Sequence, residues 1–257
     1  MLLAIDSGNT NTVFALLKGE ELIGRWRAAS DARRTADEYA VWLTHLMALD
    51  GVSPADVDGL VLSNVVPAAD YNLRTLCSRY FGGDPVTVHE AAEAYPIEIR
   101  LERPDRLGDD RIANAIGAHA RYPGPKIIVD FGTATTFDVV AEDGGYEGGA
   151  IAPGINLSLD ALYLGAAHLP RILIEKPQHV IGNDTVPAMQ SGVFWGYIGL
   201  IEGLAKRIEA DYGKPMTVIA TGGLAPLFFG STKAIHYVDH ELTLRGLRLL
   251  YEHASAA

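Results

Sequence analysis

Cysteine is almost absent from this chain, with Cys77 the only one among 257 residues. A single cysteine excludes an internal disulfide and any zinc site built from several cysteines. Cys77 lies among apolar residues at helical spacing, which favours a place in the hydrophobic core over a reactive thiol.

Long apolar runs are also missing from the sequence. None approaches the roughly 18 residues that a membrane-spanning helix requires. Met1 leads directly into a predicted strand, whereas a signal peptide opens with a basic segment. We therefore expect a cytoplasmic protein that does not contact a membrane.

Basic residues are outnumbered by acidic ones. Lys and Arg total 21 against 32 Asp and Glu, which gives a net charge of −11. Without a Lys/Arg cluster, a nucleic-acid partner is not expected. The acidic composition is compatible with a small anionic ligand, because backbone N–H groups in a glycine-rich turn can hold phosphate locally.

One pattern occurs twice, at residues 2–17 and 127–140. Each copy is an apolar strand that ends in Asp, a glycine-centred turn rich in hydroxyl and amide side chains, and a second strand. A gap-free alignment pairs Asp6 with Asp130, Gly8 with Gly132, Thr12 with Thr136, and Val13 with Phe137. The constant offset indicates an internal duplication.

Each copy predicts a strand–turn–strand hairpin whose tip presents N–H groups and hydroxyls to an anion. A carboxylate at the strand end repels phosphate unless a cation lies between them, so Asp6 and Asp130 are candidate metal-side residues. The alternative is an ordinary tight hairpin made of turn-forming residues. The occurrence of two copies at corresponding positions favours the phosphate-binding interpretation.

The elements around the first hairpin predict an α/β fold. Three antiparallel strands precede a helix that begins with a capping box at Thr35–Glu38. A buried strand at 58–63, a helix at 70–81 and a strand at 85–89 follow. This order indicates a mixed sheet with helices on its faces.

The second half of the chain repeats this plan. Strands are predicted at 126–130, 134–141, 146–152 and 216–220, with a final helix that starts near 239–242. Proline and glycine at 122–125 break the chain between the halves. The predicted domains are therefore 1–122 and 123–257.

Three further segments are candidates for ligand contact. Gly108-Asp109-Asp110-Arg111 opens a helix, where acidic residues are often caps. A carboxylate beside a guanidinium can also orient an alcohol and an acidic ligand together. Thr185 is the expected N-cap of a long helix, and a helix N-terminus favours anions. Gly222-Gly223, between a strand and a helix, would let a flat ring or a phosphate approach the backbone.

Together these motifs resemble the acetate and sugar kinase/heat-shock chaperone/actin superfamily. Within it, four segments in order are similar to the type III pantothenate kinases, namely residues 6–11, 108–111, 130–134 and 148–154. The resemblance implies a duplicated actin-like (ribonuclease H-like) fold, with two lobes that each have a mixed sheet flanked by helices. It also implies ATP-dependent phosphorylation of pantothenate to 4′-phosphopantothenate, the first step of coenzyme A biosynthesis.

The resemblance further implies a homodimer that uses Mg²⁺ and a monovalent cation, K⁺ or NH₄⁺. It makes Asp110 the general base, Asp6 the Mg²⁺-side carboxylate and Asp130 the ligand of the monovalent cation. The implied ATP contacts are Asp6, Ser7, Gly8, Asn9, Thr10, Asn11, Thr12, Val13, Thr133, Gly222 and Gly223. The implied pantothenate contacts are Gly108, Asp109, Asp110, Arg111 and Thr185.

One position departs from the family pattern, because Leu101 stands where the family often has tyrosine. One hydrogen bond to the substrate is therefore not expected in this chain. Two other functions are compatible with the pattern. The same nucleotide fold occurs in phosphohydrolases such as exopolyphosphatases, and close relatives have been described as accessory factors in transcriptional activation.

Overall fold

A computed structural model describes residues 1–94, 97–166 and 169–256. The chain forms two compact units. The first consists of Met1–Glu98, Glu102–Arg121 and Glu241–Ala257, and the second of Ile99–Leu101 and Tyr122–His240. In the described part of the chain, no helix is long and apolar enough to cross a membrane.

Within the described residues, ten strands form two sheets. They are β1 (Leu2–Ser7), β2 (Asn11–Lys18), β3 (Glu21–Ala29), β4 (Gly59–Asn64), β5 (Val86–Thr87), β6 (Lys126–Phe131), β7 (Ala134–Val140), β8 (Tyr146–Pro153), β9 (Thr217–Gly222) and β10 (Tyr237–Val238).

Eight α-helices accompany the strands in the part of the chain that the structure describes. They are α1 (Ala36–Leu49), α2 (Asp70–Tyr80), α3 (Val88–Ala94), α4 (Asp109–Arg121), α5 (Ile155–Gly165), α6 (Thr185–Tyr212), α7 (Ala225–Phe228) and α8 (Leu242–Ala256). Short 3₁₀ helices occur at Pro54–Asp56, Pro67–Ala69 and Pro104–Arg106.

The two sheets have the same topology. The first has the order β3-β2-β1-β4-β5 and the second the order β8-β7-β6-β9-β10. In each, the central strand is antiparallel to the strand that follows it and parallel to its other neighbour. The predicted duplication of a mixed sheet flanked by helices is therefore confirmed.

The gap-free alignment of the two hairpins is wrong beyond the turn. In the first hairpin Asp6 lies opposite Val13, and in the second Asp130 lies opposite Thr136. The second turn is therefore one residue shorter, and Thr12 corresponds to Thr135 rather than to Thr136. A slip of one residue moves every side chain to the other face of a strand, and Thr12 and Thr135 are indeed both buried.

The core of the first unit lies between one face of its sheet and helices α1 and α2. Tyr39, Leu43 and Met47 form the buried stripe of α1, at the spacing expected for a helix against a sheet. The predicted capping box is present, with the Glu38 N–H donating to Thr35 Oγ1 and the Thr35 N–H donating to the Glu38 carboxylate. Cys77 is fully buried in the same core, as predicted.

The final helix belongs to the first unit, although the predicted boundary placed residues 241–257 in the second domain. Two glycines explain this placement, because they let α4 and α8 cross at close range. A Cβ at Gly117 would lie 2.2 Å from the Leu242 carbonyl oxygen, and one at Gly246 would lie 1.8 Å from the Ala113 carbonyl oxygen. Thr243 also donates a hydrogen bond to Asn114 across this contact.

Two predicted elements have different bounds in the structure. The strand predicted at 85–89 is only Val86–Thr87, paired with Val61 and Leu62, and α3 begins at Val88. Alanine and glutamate dominate the segment after Thr87, and both favour helix. Thr185 is the first residue of α6, whereas Asp184 is the N-cap and its carboxylate accepts from the Thr185 N–H. Asp184 has an extended backbone, which suits the capping position.

Candidate active site

The first unit holds a carboxylate at the end of its central strand. Asp6 lies at the carboxyl end of β1, beside Ser63 of the parallel strand β4. Ser63 Oγ donates to Asp6 Oδ1 over 2.8 Å. Because both residues lie at register-matched positions of a parallel pair, the sheet itself holds the Asp6 side chain in place.

Burial raises the pKa of Asp6 from 3.8 to about 6. The hydrogen bond from Ser63 and the charge of Arg25 lower it, while repulsion from Asp110 and Asp109 raises it further. Burial and two neighbouring carboxylates both disfavour the ionised form of a carboxyl group. A cation or a hydrogen-bond donor at this position would stabilise the ionised form.

The two adjacent acids at the start of α4 are held differently. Asp109 is buried, and its Oδ2 accepts a hydrogen bond from the Asn64 N–H over 2.8 Å. Its Oδ1 lies 3.3 Å from His89 Nε2. Burial raises the pKa of Asp109, and the hydrogen bond from Asn64 and the charge of His89 oppose that rise. Asp109 thus ties the start of α4 to the end of β4.

Asp110 is half-buried, and its Oδ1 accepts from the Arg111 N–H over 2.8 Å. A Cβ at Gly108 would lie 2.7 Å from the same oxygen. The glycine therefore leaves the space that the Asp110 carboxylate occupies, which gives the Gly108–Arg111 motif a steric reason. In the first unit the structure brings Asp6, Asp109 and Asp110 together.

The first hairpin turn is closed by a hydrogen bond from the Gly8 N–H to the Asn11 carbonyl, at 3.0 Å. Its tip residues Asn9, Thr10 and Asn11 are exposed. Ser7 is buried, and its carbonyl accepts from the Val65 N–H. Of the predicted ATP contacts at residues 6–13, only these three tip residues are thus exposed.

The second hairpin turn is built in a similar way. The Gly132 N–H donates to the Ala134 carbonyl over 3.0 Å, and Thr133 is exposed at the tip. The Gly154 N–H donates to the Thr133 carbonyl over 3.1 Å. A Cβ at Gly154 would lie 2.1 Å from that carbonyl oxygen, so glycine is required for the close approach.

The glycine turn after β9 lies against the second strand-end aspartate. Gly222 has φ +87°, and a Cβ there would lie 2.8 Å from Asp130 Oδ1 and 2.6 Å from the Phe131 carbonyl oxygen. Gly223 is exposed, with open space where its Cβ would be. Strand β6 pairs with β9, with Thr221 opposite Asp130 and Gly222 opposite Phe131. This pairing brings Asp130 and Gly222 together in the second unit, although they are far apart in the sequence.

Two predicted substrate contacts lie apart from these turns in sequence. Thr185 is exposed at the start of α6. Leu101 belongs to the second unit, although the predicted boundary placed it in the first domain. The reason is a strand-like contact, because the Arg100 N–H donates to the Tyr146 carbonyl and Leu101 lies 3.5 Å from the Cβ position of Gly148.

Sequence reasoning missed three residues that shape the site. Ser63 and Asn64 bond to Asp6 and Asp109, and Ser30 bonds to the first turn. Ser63 and Asn64 are the last two residues of β4, and Ser30 directly follows β3. A small polar residue at the end of a strand is a weak signal by itself. Among the described residues, no group of three or more His, Cys, Asp or Glu side chains is arranged to hold a metal ion.

Solved structures match this architecture at low identity. A Campylobacter jejuni protein assigned to the Baf family of transcriptional activators aligns with a TM-score of 0.65 and 18% identity, over 99% of this chain and 100% of its own. Component A of (R)-2-hydroxyglutaryl-CoA dehydratase from Acidaminococcus fermentans aligns with a TM-score of 0.56 and 15% identity, over 99% and 98%. At such identities these likenesses show the fold alone.

The repeated mixed sheet, with an aspartate at the end of each central strand, defines a protein of the duplicated actin-like fold. The model of the type III pantothenate kinase family matches residues 2–207. The type III pantothenate kinase of Rhodospirillum rubrum is 59% identical to this chain, over 98% of both chains. That of Caulobacter vibrioides is 53% identical, over 100% of this chain and 99% of its own. The chain belongs to the type III pantothenate kinase family.

Proposed function

We propose that this protein transfers the γ-phosphoryl group of ATP to pantothenate, which yields 4′-phosphopantothenate and ADP. This reaction is the first step of coenzyme A biosynthesis. Family membership over nearly the whole chain supports the substrates. The observation that carries the chemistry is the carboxylate cluster of Asp6, Asp109 and Asp110 at the end of β1.

Asp110 is the general base in this proposal. The hydroxyl oxygen of pantothenate forms a bond to the γ-phosphorus, the bond from that phosphorus to the β–γ bridging oxygen breaks, and the hydroxyl proton goes to the Asp110 carboxylate. Asp110 suits this role because the Arg111 N–H and the space above Gly108 orient its carboxylate. Asp109 is buried and bonded to the Asn64 N–H, so it suits an anchoring role.

Asp6 is the proposed Mg²⁺-side residue. Mg²⁺ in kinases is usually held by one or two carboxylates together with phosphate oxygens and water. The half-buried Asp6 fits such a site, because burial and, to a smaller extent, the nearby carboxylates raise its pKa, and a positive charge would stabilise its ionised form. When bound, the ion neutralises charge that develops on the phosphates. The exposed tip at Asn9 and Thr10 is proposed to hold the phosphates.

The second unit is proposed to contribute the remaining contacts. We assign the monovalent cation, K⁺ or NH₄⁺, to Asp130, whose carboxylate lies against the Gly222 backbone. Thr133 and the Gly222-Gly223 turn are assigned to ATP, supported by the exposure of Thr133 and Gly223. Thr185 is assigned to pantothenate at the N-terminus of α6. The cytoplasmic location expected from the sequence stays a prediction.

We also propose that the protein is a homodimer. The second unit exposes large apolar side chains in and after α5: Leu164 is 80% exposed, Leu173 81% and Ile181 87%. Such side chains are costly in water and are typical of a surface that another protein covers. Sedimentation equilibrium should give twice the mass of the chain. Ile181→Asp should shift the equilibrium towards monomer; a monomeric wild-type protein would contradict the proposal.

The function is tested by a coupled ADP-release assay on the full chain. With Mg²⁺-ATP and K⁺, ADP release should require pantothenate, and replacing K⁺ by Na⁺ should lower it. Asp110→Asn should reduce kcat by about 10²–10⁴-fold, the usual contribution of a general base. Asp105→Asn is the matched control, since Asp105 is exposed and paired with Arg103.

The outcomes separate the candidate functions. ADP release that does not depend on pantothenate would favour a phosphohydrolase. Unchanged turnover in Asp110→Asn would overturn the role of Asp110 while leaving the reaction in place. Equal activity in Na⁺ and K⁺ would remove the monovalent-cation assignment from Asp130.

A further inference from the structure

Ser30, the residue that follows β3, contacts two residues of the first turn and one residue of β2. Its N–H donates to the Thr10 carbonyl over 3.0 Å. Its hydroxyl donates to the Gly8 carbonyl over 2.5 Å and lies 3.1 Å from Thr12 Oγ1. A single residue from a neighbouring loop therefore bonds to the start and the tip of this turn and to the strand that follows it.

The direction of these hydrogen bonds follows from the proton count. A serine hydroxyl has one proton, and the Gly8 carbonyl can only accept it. The contact with Thr12 must therefore use the Thr12 proton, with Ser30 Oγ as the acceptor. Ser30 thus links a buried threonine hydroxyl to the Gly8 carbonyl through a continuous chain of hydrogen bonds.

These hydrogen bonds set the orientation of the peptide plane between Gly8 and Asn9. In a trans peptide, the carbonyl of one residue and the N–H of the next point in opposite directions, and no cis peptide bond occurs in the described residues. Because Ser30 holds the Gly8 carbonyl, the Asn9 N–H points away from Ser30. Glycine flips between backbone conformations more readily than other residues, so this peptide needs an external restraint to keep one orientation.

In the second hairpin a glycine stands at the position that corresponds to Ser30. Thr12 pairs with Ala28 and Thr135 pairs with Ala152, so Ser30 corresponds to Gly154. The Gly154 N–H repeats the backbone bond, to the Thr133 carbonyl. Its missing hydroxyl leaves the buried Thr135 Oγ1 without a hydrogen-bond partner among the described residues. The hydroxyl restraint is therefore specific to the first turn.

We propose that Ser30 is a positioning residue for ATP, which holds the Gly8–Asn9 peptide so that the Asn9 N–H faces the phosphates. The proposal rests on the proposed function, in which the first turn binds the triphosphate. In this proposal Ser30 acts through the Gly8–Asn9 peptide and not by direct contact with ATP or pantothenate. Without its hydroxyl, the peptide can turn its carbonyl towards the phosphates, and carbonyl oxygens repel them.

The test compares Ser30→Ala with Ser30→Thr, which keeps the hydroxyl. Loss of one hydrogen-bond restraint should raise the KM for ATP about three- to tenfold in Ser30→Ala, with the KM for pantothenate unchanged. Ser30→Thr should return the KM for ATP to within about twofold of wild type. Direct binding of ATP, measured by titration calorimetry, should weaken by the same factor as the KM.

Ser53→Ala is the matched control for a purely structural effect. Ser53 is also a hydrogen-bonded serine of the first unit, but it caps the 3₁₀ helix Pro54–Asp56 near the amino end of β1. It should lower the melting temperature and leave the KM for ATP unchanged. Equal KM values for ATP in Ser30→Ala and wild type, or equal increases for both substrates, would overturn the proposal.

The two proposals can fail separately. If wild type releases ADP only with pantothenate but Ser30→Ala binds ATP as tightly as wild type, the positioning role is wrong and the function stands. If wild type shows no dependence on pantothenate, the proposed substrate is wrong. The ATP affinities of wild type, Ser30→Ala and Ser30→Thr, measured by calorimetry, then still decide the role of Ser30.

Discussion

Asp6→Asn is expected to make the ligand-free protein more stable while it removes activity. Burial and the charges of Asp109 and Asp110 raise the pKa of Asp6. The ionised side chain therefore costs free energy in the folded protein. Asparagine has nearly the same shape and keeps an oxygen that can accept the hydrogen bond from Ser63. The substitution removes the charge and little else.

The size of the effect follows from the two pKa values. The pKa of Asp6 is about 6 in the folded protein against an ordinary value of 3.8, so the folded state binds more protons between these values. Stability is therefore lost as the pH rises through this window. The cost reaches up to about 3 kcal/mol at pH 8 and is about half of that at pH 5.

Thermal unfolding of wild type and Asp6→Asn, recorded from pH 5 to pH 8 without nucleotide, measures this cost. The variant should melt roughly 6–12 °C higher at pH 8, with a smaller gain at pH 5. Asp56→Asn is a control of opposite sign. Hydrogen bonds from the Ser53 backbone and hydroxyl lower the pKa of Asp56, so its ionised form stabilises the fold and its replacement should lower the melting temperature.

A variant that melts at or below the wild-type temperature at pH 8 would refute the reasoning about Asp6. A gain that is the same at pH 5 and pH 8 would also refute it, because the effect would then not come from ionisation. Activity is a separate readout. Asp6→Asn should lose most ADP release, since the proposed Mg²⁺-side carboxylate is gone, and this loss should persist at high Mg²⁺ only if Asp6 also positions the ATP.

Two further outcomes follow from burial and close packing. Burial raises the pKa of the Cys77 thiol to about 12. A thiol reagent at pH 8 should therefore label it only after denaturant unfolds the protein. Fast labelling of the native protein would contradict its position in the core. Gly222→Ala should weaken ATP binding and lower the melting temperature, because φ at Gly222 is +87° and a Cβ would lie 2.8 Å from Asp130 Oδ1. A variant with wild-type affinity for ATP would show that this turn is not a nucleotide contact.

Local elements were predictable from the sequence because their signals are local. The two hairpins, the capping box at Thr35–Glu38 and the buried stripe of α1 occur where the patterns indicate them. Alternation of side chains in strands and the helical repeat depend on neighbouring residues only. The family could be identified for the same reason, because its motifs are short and each lies within one turn or helix start.

Other features depended on contacts between distant residues. The pairing of Asp130 with Thr136 depends on the length of the second turn, which repeated letters in the sequence do not show. The final helix joins the first unit because Gly117 and Gly246 allow a close crossing of α8 with α4. In the sequence, each glycine by itself indicates only a position that disfavours a helix. The short β5 and the N-cap at Asp184 were settled by strand pairing and by backbone geometry.

The amino-acid sequence by itself determined the duplicated hairpins, the strand-end aspartates and the family, because each is encoded by adjacent residues. Tertiary structure alone decided how these side chains are tuned. Ser63 beside Asp6, Asn64 beside Asp109 and Ser30 beside the Gly8 carbonyl are bonds between segments separated along the chain. Strand register and loop packing set such distances, and the pKa of Asp6 depends on the one to Ser63.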